Sequence, residues 1–193
     1  MKTILSEIRP AIVSTLVFAV VCCGFYPLAV TGISKIAFAK QAEGSLITDK
    51  RGTLIGSELL GQNFTAEGYF HPRPSAVDYN AASSGGSNLG PTSQKLADQV
   101  KERIATYRTT NGLTESQAVP ADAVTASASG LDSHISTKNA AIQITRVAKS
   151  RSLAPEKIQE LISANTDKAT FGLLGVNGVN VLKLNIALDA LKK

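Results

Sequence analysis

Tryptophan is absent from the 193 residues, methionine occurs once and cysteine only twice. Charged residues, at 18%, fall below the usual quarter. Two cysteines cannot staple a disulfide-dense mini-protein, and a 44% hydrophobic content is too high for a wholly disordered chain. The length, one domain and a remainder at roughly 100–200 residues per domain, leaves no room for a multi-domain motor or pump. The net charge of +5 is spread along the chain, with no dense Lys/Arg run and little aromatic interleaving. Nucleic acid is therefore not expected as a partner.

What the chain does have is piled up at its front. Between Arg9 and Lys35 lie 25 residues without a charge, densest from Ile12 to Val30. Roughly 20 helical residues cross a hydrocarbon core about 30 Å thick, so this segment is long enough to span a bilayer. The expected organisation is a tail at 1–10, a transmembrane helix at 11–33 and a polar domain at 34–193. Pro10 suits a first helical turn, Pro27 a kink or late break, and Tyr26 an interfacial position. Ala37-Phe38-Ala39 has the form of a signal-peptide cleavage site, but signal cores run about 7–15 apolar residues and this one is longer. Cys22 and Cys23 lack the small preceding residue of a lipoprotein site, so both thiols are expected to pack as small hydrophobes. No cysteine follows, which removes Cys-based metal sites and nucleophiles from the polar domain. Charge counting leaves orientation open, because the short side carries Lys2 and Arg9 and long domains cross largely regardless of charge.

The polar domain, with 17 Lys+Arg and 14 Asp+Glu over residues 40–193, is large enough for one core. Short extended runs are expected at Ser45–Thr48 and Thr53–Leu60 around an Asp49-Lys50-Arg51-Gly52 turn. An irregular stretch pinned by Phe64, Tyr69, Phe70 and Tyr79 follows. Leu96, Val100, Ile104 and Tyr107 share one helical face, capped by Thr92 or Ser93. Ala140 to Ala148 marks a second helix capped by Ser136, and Pro155 opens a third. A small hairpin is expected where Asn177-Gly178 joins Phe171–Val176 to Val179–Val181. The chain should end in a helix from about Asn180 to Leu191, with Leu184, Leu188 and Leu191 facing inward. The fold class is thus α+β behind a single N-terminal membrane helix.

Catalytic signatures are scarce. Asp49-Lys50-Arg51-Gly52-Thr53 differs in one residue from the phosphorylated motif of P-type ATPases, yet the chain cannot hold the nucleotide and actuator domains that chemistry needs, and the composition is that of a turn. No Gly-Lys-Ser/Thr P-loop and no Gly-x-Ser-x-Gly elbow occur. Ser84-Gly85-Gly86-Ser87 reads as a flexible turn with backbone donors. The histidines, His71 and His134, have Asp78 and Asp132 nearby in sequence, which leaves a Ser–His–Asp or metal site open beside a structural role. Nothing in these residues makes the chain an enzyme by itself.

The ordered polar motifs say more. They are Gly61-Gln62-Asn63-Phe64, Gly68 through Ser75, Ser84 through Leu89, Val124 through Asp132 with His134-Ile135-Ser136, Gln143 with Arg146-Val147-Ala148, and Val179 through Leu182 with Leu184-Asn185 and Ala187-Leu188-Asp189. Behind one membrane helix, this series closely resembles the C subunit of the Kdp potassium-transporting ATPase of bacteria, with Ser133 standing where the family often has proline. The resemblance implies a non-catalytic subunit of a high-affinity, ATP-driven potassium uptake complex. It implies as partners a channel-like potassium-translocating subunit, a P-type ATP-hydrolysing subunit, a small single-helix subunit and the lipid bilayer. It also implies a cytoplasmic N-terminus in the inner membrane and a domain on the periplasmic or extracellular side. No cofactor is assigned to the chain, ATP entering through the complex.

Two readings of the domain follow. In the first, Asn63, Phe64, Tyr69, His71, Arg73, Ser75, Asn88, Asp132 and His134 form a partner interface for assembly and gating, since Tyr, Phe and Arg are favoured interface anchors. The alternative for each aromatic is a place in a small core. In the second, the domain is a catalytic chaperone that promotes ATP binding to the pump subunit, with Gln143, Arg146 and Ser129 as nucleotide contacts. The alternative for Gln143 and Arg146 is a solvated helix face.

Overall fold

The computed structural model describes residues 2–49 and 51–191 and resolves into two compact units, one ending at Ile55 and one beginning at Gly56. The first unit is dominated by helix. Lys2–Ala19 (α1) passes through a wider π-helical turn, Val20–Phe25, into Tyr26–Ala37 (α2). Within this run Ser6–Ala37, 32 residues, is long and apolar enough to cross a bilayer by length and composition. Pro10 does not open the helix as its preference for a first turn implies; it sits inside α1. The π turn has a local cause. A regular α-turn would press the Pro27 ring against the carbonyl four residues back, and Pro27 has no N–H to offer it. The Tyr26 N–H reaches instead to the Val21 carbonyl, five residues back, and the turn widens just before the proline.

After the short helix Ala39–Ala42 (α3), strands Leu46–Thr48 (β1) and Leu54–Ser57 (β2) flank the expected turn. Asp49 closes it: its carboxylate accepts the N–H groups of Arg51 and Thr53, each at 2.8 Å. This is turn chemistry for the residue that mimics a phosphorylation motif. Lys50 lies outside the described residues.

The second unit is α+β. An irregular segment runs from Glu58 to Ser93, broken by a 3-10 turn at Ala81–Ser83. Helices Gln94–Asn111 (α4), Ala121–Val124 (α5), Thr137–Arg151 (α6) and Pro155–Ala164 (α7) follow, with strand His134–Ser136 (β3) between α5 and α6. The chain then forms Thr166–Asp167 (β4), Gly178–Asn180 (β5) and Val181–Ala190 (α8). The expected caps hold: Ser93 accepts from the Leu96 N–H and Ser136 from the Asn139 N–H, while Pro155 stands at the start of α7. Asn180 caps α8 by accepting from Lys183.

The three-stranded sheet has the order β3-β5-β4, antiparallel throughout, with Ile135 opposite Val179 and Thr166 opposite Val179 on the other edge. This corrects the expected hairpin. Residues 171–176 are a turn rather than a strand, and β5 pairs with Thr166–Asp167 instead. Glycines at 172 and 175 with positive φ turn the chain back before any ladder can form.

The core lies where α6, α7 and α8 meet β5. Phe70, Ala140, Val147, Ile158, Val179, Leu184 and Leu188 are fully buried, with Phe64, Ile144, Leu153 and Leu161 packed around them. Spacings of three and four, Ile158/Ile162 and Val181/Leu184/Leu188, put each apolar set on one helical face. Leu191 is only half-buried.

Candidate functional site

The irregular segment is held in shape by side chains that substitute for strand partners. Phe70 is anchored at both backbone groups by Asn185 of α8: its N–H donates to Asn185 Oδ1 at 2.8 Å and its carbonyl accepts from Nδ2 at 3.0 Å. One residue on, Gln143 of α6 does the same for His71, accepting its N–H at 2.7 Å and donating to its carbonyl at 3.2 Å. Buried peptide groups need partners, and here side-chain amides supply them.

A polar line extends from Gln143 in both directions along α6. Its Nε2 donates to Asn139 Oδ1 at 2.9 Å, which also accepts from the Tyr107 hydroxyl at 2.8 Å. Asn139 and Ser136 both donate to Asp122 of α5, at 3.0 and 2.8 Å. On the other side Arg146 donates to Gln143 Oε1 at 2.7 Å, to Asn111 Oδ1 at 3.0 Å, and to the carbonyls of Tyr69 and Glu67. Burial holds the Arg146 guanidinium below its ordinary pKa and pushes the Tyr107 phenol up. Gln143 and Arg146 therefore do not form a solvated face. They are the middle of a network joining α4, α5, α6 and the irregular segment. Beside it, between α4 and residues 71–72, lies a cavity of about 370 Å³ lined by His71, Arg103, Tyr107 and Gln143 among others. Ser129, the third residue of the nucleotide reading, stands apart and exposed, its hydroxyl accepting from the Leu131 N–H.

Five residues of the interface reading fall into two groups, and His71, Ser75, Asn63 and Asn88 stand outside them. Phe64 and Tyr69 lie together, ring centroids 5.5 Å apart. The Arg151 guanidinium sits 4.6 Å from the centre of the Tyr69 ring and pairs with Asp189 at 2.9 Å, while the Tyr69 hydroxyl donates to the same carboxylate. That hydrogen bond, followed by burial, raises the Tyr69 pKa. The second group gathers Arg73, Asp132 and His134. Arg73 pairs with Asp132 at 2.8 Å, Asp132 accepts the His134 N–H at 3.0 Å, and His134 Nε2 lies 2.7 Å from Asp167 Oδ2. Ser75 stitches the segment below them, donating to the Gly130 carbonyl and accepting from the N–H groups of Val77 and Tyr79. His71 belongs by its backbone to the Gln143 network, with its ring nitrogen 3.2 Å from the Ala66 carbonyl. Asn63 and Asn88 are exposed.

His71 faces a backbone carbonyl at 3.2 Å, and His134 is bracketed by Ser133 Oγ at 3.1 Å and Asp167 Oδ2 at 2.7 Å, a Ser–His–Asp contact in which the serine and histidine are adjacent in sequence. No group of three or more His, Cys, Asp or Glu suited to a metal ion occurs among the described residues. Sequence reading missed Asp122, Asn139, Arg151 and Asn185. Asn185 carried a readable signal, an amide placed between Leu184 and Leu188 on a helix whose apolar face is buried, because a polar residue there needs a buried partner.

The family model for the c chain of the K+-transporting ATPase matches residues 8–190, from inside the apolar helix to the last turn of α8. The chain belongs to the KdpC family. Potassium-transporting ATPase KdpC subunits are similar to it from end to end. That of Geobacter metallireducens is 48% identical over 97% of this chain and 99% of its own length. Those of Mycobacterium tuberculosis and Geotalea uraniireducens are 49% and 47% identical, over 96% and 98% of this chain and 98% and 100% of their own lengths. Membership in the KdpC family gives the two surface groups and the amide network a setting, a subunit of a transporter rather than a free-standing domain.

Proposed function

We propose that this chain is the membrane-tethered accessory subunit of an ATP-driven potassium uptake complex, in which its second unit braces the channel-like potassium-translocating subunit against the P-type ATP-hydrolysing subunit. The helix within 11–33 crosses the bilayer, residues 1–10 stay in the cytoplasm, and residues 34–193 lie on the periplasmic or extracellular side. A small single-helix subunit completes the assembly. The observation that carries this reading is the end-to-end family match combined with a domain whose polar side chains are occupied in fixing its own shape. A rigid surface suits docking, since little conformational freedom is lost on binding.

The Arg73–Asp132–His134–Asp167 group and the Tyr69–Arg151–Asp189 group supply the contact chemistry, and Asn63, Phe64, His71, Ser75 and Asn88 complete the set of contact residues. Tyr and Arg held in place by neighbours are the usual anchors of interfaces. Replacing Tyr69 and Arg73 together by alanine in the assembled complex should lower recovery of the other subunits and weaken potassium affinity. Unchanged recovery and affinity would remove both groups from the interface. A topology reporter fused after Lys193 should be active outside the cytoplasm; cytoplasmic activity would reverse the orientation.

The second reading, a catalytic chaperone for ATP, is favoured by the cavity that Gln143 lines. Against it, Gln143 and Arg146 already spend their donors and acceptors on protein groups, so a nucleotide would have to displace those bonds. Saturable ATP binding by the complex that Arg103→Ala removes without loss of fold would establish this reading.

A further inference from the structure

Arg9 and Lys35, which bound the uncharged run, stand 26 positions apart. At 1.5 Å per helical residue that is about 39 Å, close to the roughly 40–45 Å thickness of a bilayer with its headgroups. A helix that holds Pro10 to Ser34 in the membrane therefore sets Lys35 at headgroup level.

The chain beyond Lys35 is not free to leave that level. Phe38 ends α2 with φ of −137°, and its N–H returns to the Ser34 carbonyl at 2.8 Å. The Ala42 N–H reaches the Phe38 carbonyl at 2.9 Å, and the Ser45 N–H the Lys40 carbonyl at 2.9 Å. Every step from α2 through α3 to β1 is closed by such a bond, so no slack linker separates the apolar helix from the β1–β2 hairpin. That hairpin has only two strands, an arrangement marginal in water by itself. Its apolar side chains are open: Leu46 is 49% exposed, Leu54 57% and Ile55 37%, while Phe38 at the helix end is 58% exposed.

We propose that residues 35–55 form a foot that rests on the leaflet where the helix emerges, with Phe38, Leu46 and Leu54 among the headgroups and upper acyl chains and Lys35, Lys40 and Arg51 on the phosphates of anionic lipids. The inference rests on the reading that the apolar helix crosses the bilayer, holds for either orientation of that helix, and adds a lipid contact beyond its end. Two observations choose lipid as the occupant. The bilayer is the surface that the chain itself brings to this segment, by covalent and hydrogen-bonded continuity with α2. The charge also fits: four basic residues face two acidic ones between Lys35 and Ile55, and the Asp49 carboxylate is taken up by the N–H groups of Arg51 and Thr53. Exposed Lys35, Lys40 and Arg51 interleaved with Phe and Leu are the composition of a segment lying in an anionic interface, where long basic side chains reach the phosphates while apolar neighbours sink below.

The test uses the full chain in its assembled complex, reconstituted in vesicles of equal phosphatidylglycerol and phosphatidylcholine. A benzophenone-bearing phenylalanine replaces Phe38, Leu54 or, as a control, the exposed Gln159 of α7. Illumination should attach lipid at positions 38 and 54 and not at 159, with phosphatidylglycerol adducts about fivefold over phosphatidylcholine. Lys35→Gln with Lys40→Gln and Arg51→Gln should bring that ratio close to one. Adducts at 38 and 54 with another protein subunit alone, with a second copy of this chain or with nothing would overturn the proposal, and so would lipid adducts without anionic preference. If the Leu54 replacement does not fold, position 38 decides, because the probe there replaces one exposed ring by another. Cys22 and Cys23, near the middle of the run, separate this proposal from the reading beneath it. A membrane-impermeant maleimide that labels them in intact vesicles would remove the spanning helix itself, whereas unlabelled cysteines without lipid adducts at 38 and 54 would remove the foot alone.

Discussion

Asn185 holds both backbone groups of Phe70, accepting the N–H at 2.8 Å and donating to the carbonyl at 3.0 Å across 115 positions of sequence. The Phe70 ring is fully buried, so this one amide fastens the irregular segment to the helical core at the point where its largest fully buried side chain enters. Asn185→Ala leaves a buried donor and acceptor unpaired, and each costs about 1–3 kcal/mol. The expected loss is therefore about 3 kcal/mol, read as a lower urea midpoint with an unchanged slope. A loss below about 0.5 kcal/mol, the range of ordinary surface substitutions, would mean that water takes over both bonds.

Arg146 offers a sharper contrast because charge can be kept while geometry is removed. Its guanidinium reaches Asn111, Gln143 and two backbone carbonyls at once, which a lysine ammonium cannot do. Arg146→Lys should destabilise the fold by about 1–2 kcal/mol. Gln143→Ala should cost more, about 2–3 kcal/mol, since it strips the His71 backbone of both partners. Any change in nucleotide response caused by Gln143→Ala must then be compared at equal fold stability. If Arg146→Lys is neutral in denaturant unfolding, the network is not what holds residues 67–71 in place.

Gly130 is required by both space and backbone angle. Its φ is 68°, and an added Cβ would stand 2.5 Å from Val77 Cγ2 and 2.9 Å from the Gly85 carbonyl oxygen. Gly130→Ala combines left-handed strain with a clash against backbone and should cost about 2 kcal/mol or more. Differential unfolding of wild type and variant measures it, and a neutral result would show that residues 75–86 can shift to make room.

His71 makes stability depend on pH. Burial, and after it the Arg146 guanidinium, hold its imidazole below the ordinary value of 6.5, while hydrogen bonding of the imidazole to the backbone at Ala66 and Thr65 acts the other way. The unfolded chain therefore binds a proton that the folded chain does not, and stability falls as pH drops below about 6.5. Above that value both states are neutral at this site and the full stability is present. The loss levels off once pH passes below the folded pKa. Unfolding midpoints taken between about pH 5 and 8 should show this slope, and His71→Gln should reduce it. An equal slope in the variant would assign the effect to other groups.

Much of the framework could be read from the chain. The uncharged run before Lys35 forms a long helix through Pro10 and Pro27, and it widens to a π turn ahead of Pro27. Ser93, Ser136 and Pro155 marked helix starts because capping depends on neighbours two or three residues away. The ordered motifs identified the family over nearly the whole length. The candidate contact residues were less legible. Arg73, Asp132 and His134 share a surface group, but Asp167 joins them only because β4 and β3 flank β5. Gln143 and Arg146 looked like solvated helix residues, and burial placed them at the centre of a network.

The sequence by itself thus determined the local and periodic features: the long apolar helix, the caps, the apolar helical faces and the family. Tertiary structure decided which polar groups meet. Asn185 with Phe70, Gln143 with His71 and Arg151 with Tyr69 are contacts between segments 72 to 115 positions apart. No local rule encodes such distances. They follow from the need of a strandless, buried backbone for hydrogen-bond partners, which only the packed helices could bring within reach. The apolar 171–176 turn shows the same division from the other side. Its composition reads as one arm of a small hairpin, and the folded chain makes it an exposed turn instead.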